Sequence, residues 1–367
     1  MTDPRFQKAA SLVSEAVHTR AVPSAALVIG VRDHVYVCEA WGVTSYTPEA
    51  EPVTVHTPYD LASLTKVYAA GLTALRLLED GTLDLADTIG RYLGPVPADK
   101  RSITLFHLLT HTAGLPAALP LEQTAASPED AAAAILRAPL AAPVGSAVIY
   151  SCMGFILLGK ILERIFSAPL DRIAREAVFG PLGMTATGYH PLHGGRLVDP
   201  SQATHAAFTE RDPATGEWLR GVVHDENARF LNGVSGNAGV FSDLTDGIRL
   251  AQMLACGGET PRGRYLAPST LRAAIRNYTP GMAENRGLVF QLAGGYTSCA
   301  GAFADPRAFG HTGFTGTHLL VSPETGLYVL LLTNRVHPTR EQNPLLRLRR
   351  VLHAAVFSAL PLIRPEF

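Results

Sequence analysis

The sequence predicts an α+β fold in which both ends of the chain contribute to one antiparallel sheet, with a mostly helical segment inserted between them. Strand-like apolar runs occupy residues 25–42 and 316–333, whereas apolar residues in the intervening chain recur at spacings of three and four. Short polar connections join the strands of each terminal pair, as in hairpins. This arrangement favours a single antiparallel sheet over a series of parallel βαβ units.

The first elements follow from simple periodicity. An apolar face predicts a helix over residues 5–20, which Pro23 ends. Residues 25–31 and 35–42 are then predicted strands joined by a short turn, and residues 43–58 are a loop. The later helices are predicted at residues 63–78, 83–93, 128–137, 153–168, 170–178 and 341–360, with a short one within 104–116. Residues 189–235 lack periodicity and are predicted to be a long loop, and 316–322 and 326–333 form the second hairpin.

The composition is that of a well-packed globular protein. The chain has 367 residues, of which 47% are hydrophobic and 17% charged, and its formal net charge is −1. Such a balance gives no electrostatic reason to bind nucleic acid or an anionic membrane. The length exceeds that of a usual single core. We expect a discontinuous sheet domain of residues 1–60 plus 240–367, a mostly helical domain of residues 61–239, and a site in the cleft between them.

The first residues of the sequence and the spacing of its cysteines favour a cytoplasmic protein. Residues 1–8 contain no apolar stretch of the kind that a secretory signal needs, and no apolar run is long enough to span a bilayer. Cys38, Cys152, Cys256 and Cys299 are scattered without a Cys-x-x-Cys pair. This spacing predicts reduced thiols and neither a disulfide framework nor a zinc site. The sequence does not indicate an oligomeric state.

A Ser-x-x-Lys motif, Ser63 to Lys66, stands at the start of a predicted helix. Residues three apart share a helix face, so the two side chains are adjacent. A serine hydroxyl becomes a good nucleophile when a base removes its proton, and burial near positive charge would lower the pKa of Lys66 enough for that role. The motif also occurs by chance in chains of this length, so other residues must support it.

Two further motifs supply such support. Tyr150 precedes Ser151 and Cys152 at a junction between loop and helix, where a nearby ammonium would favour the phenolate form that can act as a general base. His311-Thr312-Gly313 leads into the C-terminal hairpin, and a backbone N–H just beyond Gly313 can join that of Ser63 in an oxyanion hole. Taken singly, a tyrosine packed by its ring or a histidine in a glycine-rich turn would be ordinary.

Together these motifs resemble the serine β-lactamase and penicillin-binding-protein superfamily, on the branch that holds class C β-lactamases, D-alanyl-D-alanine carboxypeptidases and class C-like esterases. The three motifs stand in the family's order, and the flanking sequences 60–66, 108–116, 180–184 and 311–317 are similar to family sequence. The resemblance implies a β-lactamase/transpeptidase-like fold and a serine hydrolase that forms an acyl-enzyme on an ester, amide or β-lactam. It implies no cofactor and no metal.

The resemblance also implies roles for individual residues. Ser63, Lys66, Tyr150 and His311 would be catalytic, while Phe314, Thr312, Gly313 and Cys152 would form the oxyanion hole and hold the substrate. The second motif departs from the family's Tyr-x-Asn because Cys152, a weak hydrogen-bonding group, replaces the amide. The third motif has His311 where many members have lysine, and a mostly neutral histidine binds a carboxylate more weakly. Both departures favour an esterase or an unusual D-peptidase over efficient penicillin hydrolysis.

Alternative functions remain open at this stage. A class C-like β-lactamase with true penicillin turnover is one, and a non-catalytic binding or self-assembling protein on the same fold is another. A D-peptidase would need a cationic group for a carboxylate, which a loop arginine would have to provide. His224 and Asp225 could suggest a metal site, but they lack a second pair of ligands. They are instead expected in a loop that borders the cleft. His107 and His111, one helical turn apart, are expected to pack beneath the site.

Overall fold

The computed structural model describes residues 2–294 and 300–360. The strands of this part of the chain are β1 (Ser24–Val31), β2 (His34–Gly42), β3 (Tyr59–Asp60), β4 (Gly188–Tyr189), β5 (Leu192–His193), β6 (Arg196–Leu197), β7 (Phe208–Arg211), β8 (Trp218–Arg220), β9 (Val240–Ser242), β10 (Glu259–Thr260), β11 (Gly263–Arg264), β12 (Gln291–Leu292), β13 (Phe309–Thr312), β14 (His318–Val321) and β15 (Leu327–Thr333). The helices are α1 (Gln7–His18), α2 (Leu72–Glu79), α3 (Ile89–Leu93), α4 (Leu105–Leu109), α5 (Leu121–Thr124), α6 (Ala131–Arg137), α7 (Cys152–Phe166), α8 (Leu170–Ala174), α9 (Gly180–Leu182), α10 (Glu226–Phe230), α11 (Leu244–Ala255), α12 (Pro268–Ala274) and α13 (Leu345–Ala359).

The main sheet joins the two ends of the chain, as predicted. Within the described residues it has six antiparallel strands in the order β12-β13-β14-β15-β1-β2. The N-terminal strand β1 pairs with β15 on one side and with β2 on the other, so that Val28 lies opposite both Leu330 and Cys38. The expectation of an α+β fold with an antiparallel sheet built from both termini is confirmed.

Both faces of the central strand β1 are buried, which explains its unbroken apolar sequence. Leu27 and Ile29 point into a core shared with α1 and α13, while Ala26 and Val28 point into the larger core that the helical segment supplies. The side chains alternate between these cores because successive residues of a strand face opposite sides. The sheet is therefore a middle layer between two helical layers.

The helix α7 is the centre of the inserted segment. It is apolar on most of its surface and packs against α3, α4, α6 and α8. Such all-round burial is expected for a helix in the middle of a core. Its first residue is Cys152, so the Tyr150 motif is held directly by the best-packed helix of this segment.

The structure differs from the sequence prediction at three places. The helix at Ser63 begins as a 3-10 turn (Ala62–Leu64) and a π-helical segment (Lys66–Gly71) before α2. Residues 189–235 contain short strands and α10, where a loop was predicted, and pairing between β7 and β8 organises part of them. His311 lies within β13, one strand earlier than the predicted hairpin. Each difference depends on contacts with residues that are distant in the sequence, and local periodicity does not predict such contacts.

Three further expectations concern membrane spans, cysteines and domain boundaries. No helix among the described residues is long and apolar enough to cross a membrane. Cys38, Cys152 and Cys256 are free thiols, as predicted, and Cys299 lies outside the described residues. The proposed division into residues 1–60 plus 240–367 and residues 61–239 stays a prediction.

Candidate active site

Ser63 and Lys66 are adjacent, as their spacing requires. The Lys66 ammonium is fully buried and donates hydrogen bonds to Ser63 Oγ at 3.1 Å and to the Asn237 carbonyl at 3.1 Å. A third contact runs to Cys152 Sγ at 3.6 Å. Since an ammonium has three protons to donate, these partners satisfy Lys66 in its charged form.

The surroundings of Lys66 act on its pKa in two opposite directions. Burial lowers the pKa of Lys66, but attraction to Cys152 and Tyr150 in their ionised forms, and to Asp225, outweighs burial and raises that pKa above its ordinary value. The direction is opposite to the lowered pKa that the motif suggested. In its charged form Lys66 can stabilise negative charge beside Ser63, and its role as the base stays a prediction.

Asp60 holds the turn that presents Ser63. Its carboxylate accepts hydrogen bonds from the backbone N–H groups of Ala62 at 2.8 Å and of His224 at 2.6 Å, and its carbonyl accepts one from Thr315 Oγ1 at 2.7 Å. Burial raises the pKa of Asp60, although these N–H groups act against the rise. Ala62 has a φ of +46°, a strained value for alanine, which the bond to Asp60 maintains.

Tyr150 and Cys152 reach the same site from the start of α7. Lys66 Nζ lies 5.0 Å from the centre of the Tyr150 ring, and both Tyr150 and Cys152 line the cleft that contains Ser63. On the far side the tyrosine ring packs against His111, whose ring centre is 4.6 Å away. The Ser63 and Tyr150 motifs, 87 residues apart in the sequence, are therefore assembled around the Lys66 ammonium.

The third motif lies on β13 and the turn that follows it. Thr312, Gly313 and Phe314 line the cleft, whereas His311 is buried behind them with its ring centre 5.8 Å from that of Tyr150. Gly313 is required by close approach, because a Cβ there would lie 2.5 Å from the carbonyl oxygen of Leu61. This contact sets the turn directly beside the segment that carries Ser63.

The turn leaves a backbone donor available. The N–H of Gly313 donates to the Thr317 carbonyl at 2.7 Å, but the N–H of Phe314 has no acceptor among the described residues. The Phe314 side chain is 48% exposed and stacks on His224, with ring centres 5.6 Å apart. Its backbone can therefore serve the oxyanion while its ring forms part of the cleft wall.

The cleft has a volume of about 410 Å³, and arginines form one of its walls. Arg335, Arg340 and Arg349 all line it. Carboxylates already satisfy Arg340, which pairs with Glu210 and with Glu226 at 2.8 Å. Arg335 forms no ion pair within the described part of the chain and bonds instead to backbone carbonyls. Cationic groups that the motifs alone did not provide are thus present beside Ser63.

His224 and Asp225 border the cleft, as expected, and hydrogen bonds hold His107 and His111 in place. His224 and Asp225 both line the cleft, and the Asp225 carboxylate caps α10 by accepting the N–H of Ala228 at 2.8 Å. His107 is bonded to Thr104, and His111 accepts the N–H of Ser151 at 3.1 Å, so both are held by local structure. The residues that the structure describes contain no group of three or more side chains that could hold a metal ion.

Comparison with known proteins identifies the family. The model of the β-lactamase family matches residues 9–354, so the chain belongs to the β-lactamase family. A "putative D-alanyl-D-alanine carboxypeptidase" of Salmonella typhimurium is 31% identical over 342 residues, which are 86% of this chain and 79% of that protein. A protein of the same description from Salmonella enteritidis is 32% identical over 344 residues, with the same coverage. The resemblance drawn from the motifs is confirmed.

Solved structures agree on the fold. The hydrolase EstCE1, described as having promiscuous acyltransferase activity, superposes with a TM-score of 0.78 at 22% identity and covers 96% of this chain and 98% of its own. A penicillin-binding protein homologue from Caulobacter crescentus has a TM-score of 0.77 at 19% identity, with 98% of each chain covered. The simvastatin synthase LovD from Aspergillus terreus gives 0.74 at 20% identity, covering 97% and 99%. The chain has the β-lactamase/transpeptidase fold and belongs to a family of serine hydrolases.

Sequence reasoning missed several residues that shape this site. Asp60 stands in the first motif's flank but was assigned no role, although an acidic residue three positions before a motif serine is a visible signal. Asn237 lies outside the three motifs, and its backbone carbonyl accepts a hydrogen bond from Lys66. Arg335 and Arg349 carry no local pattern at all. Only the fold brings their side chains to the cleft.

Proposed function

We propose that the protein is a serine acyl hydrolase whose preferred substrates carry a free carboxylate beside the scissile bond. Peptides that end in D-alanine belong to this class, as do their ester analogues. The observation that carries the proposal is the arginine wall of the cleft that contains Ser63, where Arg335 and Arg349 are both nearly buried. Buried guanidinium groups recognise carboxylates strongly and with defined geometry. The curated relatives named as carboxypeptidases support the same substrate class.

In the first half of the reaction, Tyr150 as phenolate takes the proton of Ser63 Oγ. The oxygen then attacks the substrate carbonyl carbon, and the backbone N–H groups of Ser63 and Phe314 stabilise the resulting oxyanion. The intermediate collapses by breaking the bond to the leaving amine or alkoxide, which receives the proton from Tyr150. Lys66 remains an ammonium throughout and offsets the negative charge that moves between the two oxygens.

In the second half, a water molecule releases the acyl group. Tyr150 takes a proton from this water as it attacks the ester carbon on Ser63, and the same oxyanion hole holds the second tetrahedral intermediate. Its collapse expels Ser63 Oγ, which regains a proton from Tyr150. The products are the acid and the free enzyme, and no external cofactor is needed.

A pair of matched peptides tests the proposal. N-acetyl-D-alanyl-D-alanine and its C-terminal amide differ only in the carboxylate, so the ratio of their kcat/KM values reports its recognition. We expect the acid to be cleaved roughly ten-fold or more faster, because a desolvated charge pair discriminates strongly. Arg335→Gln should reduce that ratio through KM for the acid, while Arg76→Gln, on an exposed part of α2, should leave it unchanged.

Two results would redirect the proposal. Equal rates for acid and amide would remove the carboxylate preference. If neither peptide reacts while p-nitrophenyl butyrate is cleaved, the protein is a simple esterase, the alternative that Cys152 favours because it replaces the amide that would hold a peptide carbonyl.

A further inference from the structure

The ring of Tyr150 is packed between cations and histidines. Lys66 Nζ lies 5.0 Å from the ring centre, and the guanidinium carbon of Arg286 lies 5.2 Å from it. The rings of His111 and His311 contact the same tyrosine, with centres at 4.6 Å and 5.8 Å. The sequence motifs predicted Lys66 and His311 here, but they gave no indication of Arg286.

His311 supplies no positive charge to this cluster. Its Nδ1 lies 2.8 Å from the carbonyl oxygen of Thr312, so Nδ1 carries the ring proton and Nε2 keeps its lone pair. Burial, together with the positive charges of Arg286 and Lys66, holds the pKa of His311 well below its usual range. The third motif of this chain therefore brings a neutral ring to the tyrosine.

Arg286 is an unusual arginine. Its side chain is nearly buried, and its Nε and Nη1 have no hydrogen-bond partner within the described residues. Its Nη2 bonds to Glu284, whose side chain is 41% exposed. Burying guanidinium N–H groups without partners is costly, so such a group normally has another role. Arg286 is not among the residues that line the cleft.

The backbone fixes where Arg286 points. Its N–H donates to Thr279 Oγ1 at 2.8 Å, and its carbonyl accepts the N–H of Tyr278 at 2.9 Å. A bridge to Gln291 connects it to the edge strand β12 of the main sheet. The backbone of Arg286 is thus anchored beside the main sheet, and its guanidinium lies against the tyrosine ring.

We propose that Arg286 is a positioning residue for catalysis, whose guanidinium adds a second positive charge beside that of Lys66 and favours the phenolate form of Tyr150. This inference rests on the proposed function, because it assumes that Tyr150 is the general base. A cation close to the ring attracts the phenolate more than the neutral phenol, so it extends the active form of the base to lower pH. The effect is on the proton equilibrium of Tyr150 and not on substrate contact.

The charged and titratable groups around the tyrosine bear on the sign of the effect. The cations are Lys66 and Arg286, the neutral rings are His111 and His311, and the Cys152 thiol lies 3.6 Å from Lys66 Nζ. The negative charges close to these cations are those of Asp225, which acts on Lys66, and of Glu284, which pairs with Arg286. Removing Arg286 weakens the positive field at Tyr150, whereas removing the charge of Glu284 strengthens it. The two changes must act in opposite directions.

The pH profile of kcat/KM for p-nitrophenyl butyrate provides the first measurement. We expect Arg286→Met to move the acidic limb to higher pH by about one unit, which corresponds to about ten-fold lower activity on that limb. Arg286→Lys should restore most of the loss, and Glu284→Gln should move the limb to lower pH. Arg76→Met is the matched control, because Arg76 also lies over a tyrosine ring, that of Tyr265 at 5.0 Å, and should leave the profile unchanged.

A second measurement does not require turnover. In a Ser63→Ala background, the near-ultraviolet tyrosinate signal that Tyr150→Phe removes should titrate at higher pH after Arg286→Met and at lower pH after Glu284→Gln. Shifts of the same sign for both variants, or no shift for either, would overturn the role of Arg286. A wild-type enzyme that cleaves no ester or peptide would instead overturn the proposed function. If Arg286→Met fails to fold, the tyrosinate titration of Glu284→Gln still tests the role of Arg286.

Discussion

At the scale of single residues, the site is a set of charges arranged around one serine. Lys66 donates to Ser63, Asn237 and Cys152, and its pKa is raised where the motif suggested a lowered one. We therefore propose Tyr150 as the proton acceptor. One departure from the family pattern contacts Lys66 directly: Cys152 stands where other members have an amide.

Cys152→Asn should improve the recognition of amide substrates. An asparagine amide both donates and accepts hydrogen bonds, whereas a thiol does both weakly, so the variant can hold the carbonyl of a peptide or β-lactam. We expect kcat/KM for N-acetyl-D-alanyl-D-alanine to rise several-fold relative to that for p-nitrophenyl butyrate. Cys256→Asn, remote from the cleft, serves as the control. An unchanged ratio would mean that residue 152 does not contact the substrate.

At the scale of elements, the site depends on how β13 and its turn meet the segment that carries Ser63. Thr317 Oγ1 donates to the Leu61 carbonyl at 2.9 Å, and Thr315 Oγ1 donates to that of Asp60 at 2.7 Å. These bonds hold the turn that contains Phe314 against the segment that carries Ser63. The spacing of the two elements tolerates no side chain at Gly313.

Gly313→Ala should disable catalysis by moving this turn. Its Cβ would lie 2.0 Å from Thr317 Oγ1 and 2.5 Å from the Leu61 carbonyl oxygen, so the turn must shift. Losing one oxyanion donor costs about 100-fold or more in kcat, and we expect a loss of that size in ester hydrolysis. Gly188→Ala is the control, because no atom lies within 4 Å of its Cβ position. Full activity of Gly313→Ala would show that Phe314 N–H is not part of the oxyanion hole.

At the scale of the whole molecule, the fold was predictable and part of the site was not. Strand patterns near both termini predicted the sheet that pairs β1 with β15, because apolar strands between two helical layers leave a clear signature. Three motifs likewise predicted the cluster of Ser63, Tyr150 and Thr312. Asp60 lies in the flank of a motif, and its role emerged only from hydrogen bonds to residues distant in the sequence.

Arg286 and Arg335 show why the rest escaped prediction. Neither belongs to a motif, and each reaches the site through a loop whose course is set by long-range pairing and burial. An arginine in a sequence is most often a solvated surface residue, so its burial beside a tyrosine or in a cleft cannot be inferred from neighbours in the chain. Electrostatic detail is therefore the part of the site that required the structure.

The most direct test of the central claim is to trap the acyl-enzyme and locate it. The protein is mixed with p-nitrophenyl butyrate, quenched in acid within the first turnover, and digested for peptide mass mapping. The account predicts a butyryl group on Ser63, and neither adduct nor p-nitrophenol release above background for Ser63→Ala. Turnover that survives Ser63→Ala, or a butyryl group that maps to Cys152, would contradict it.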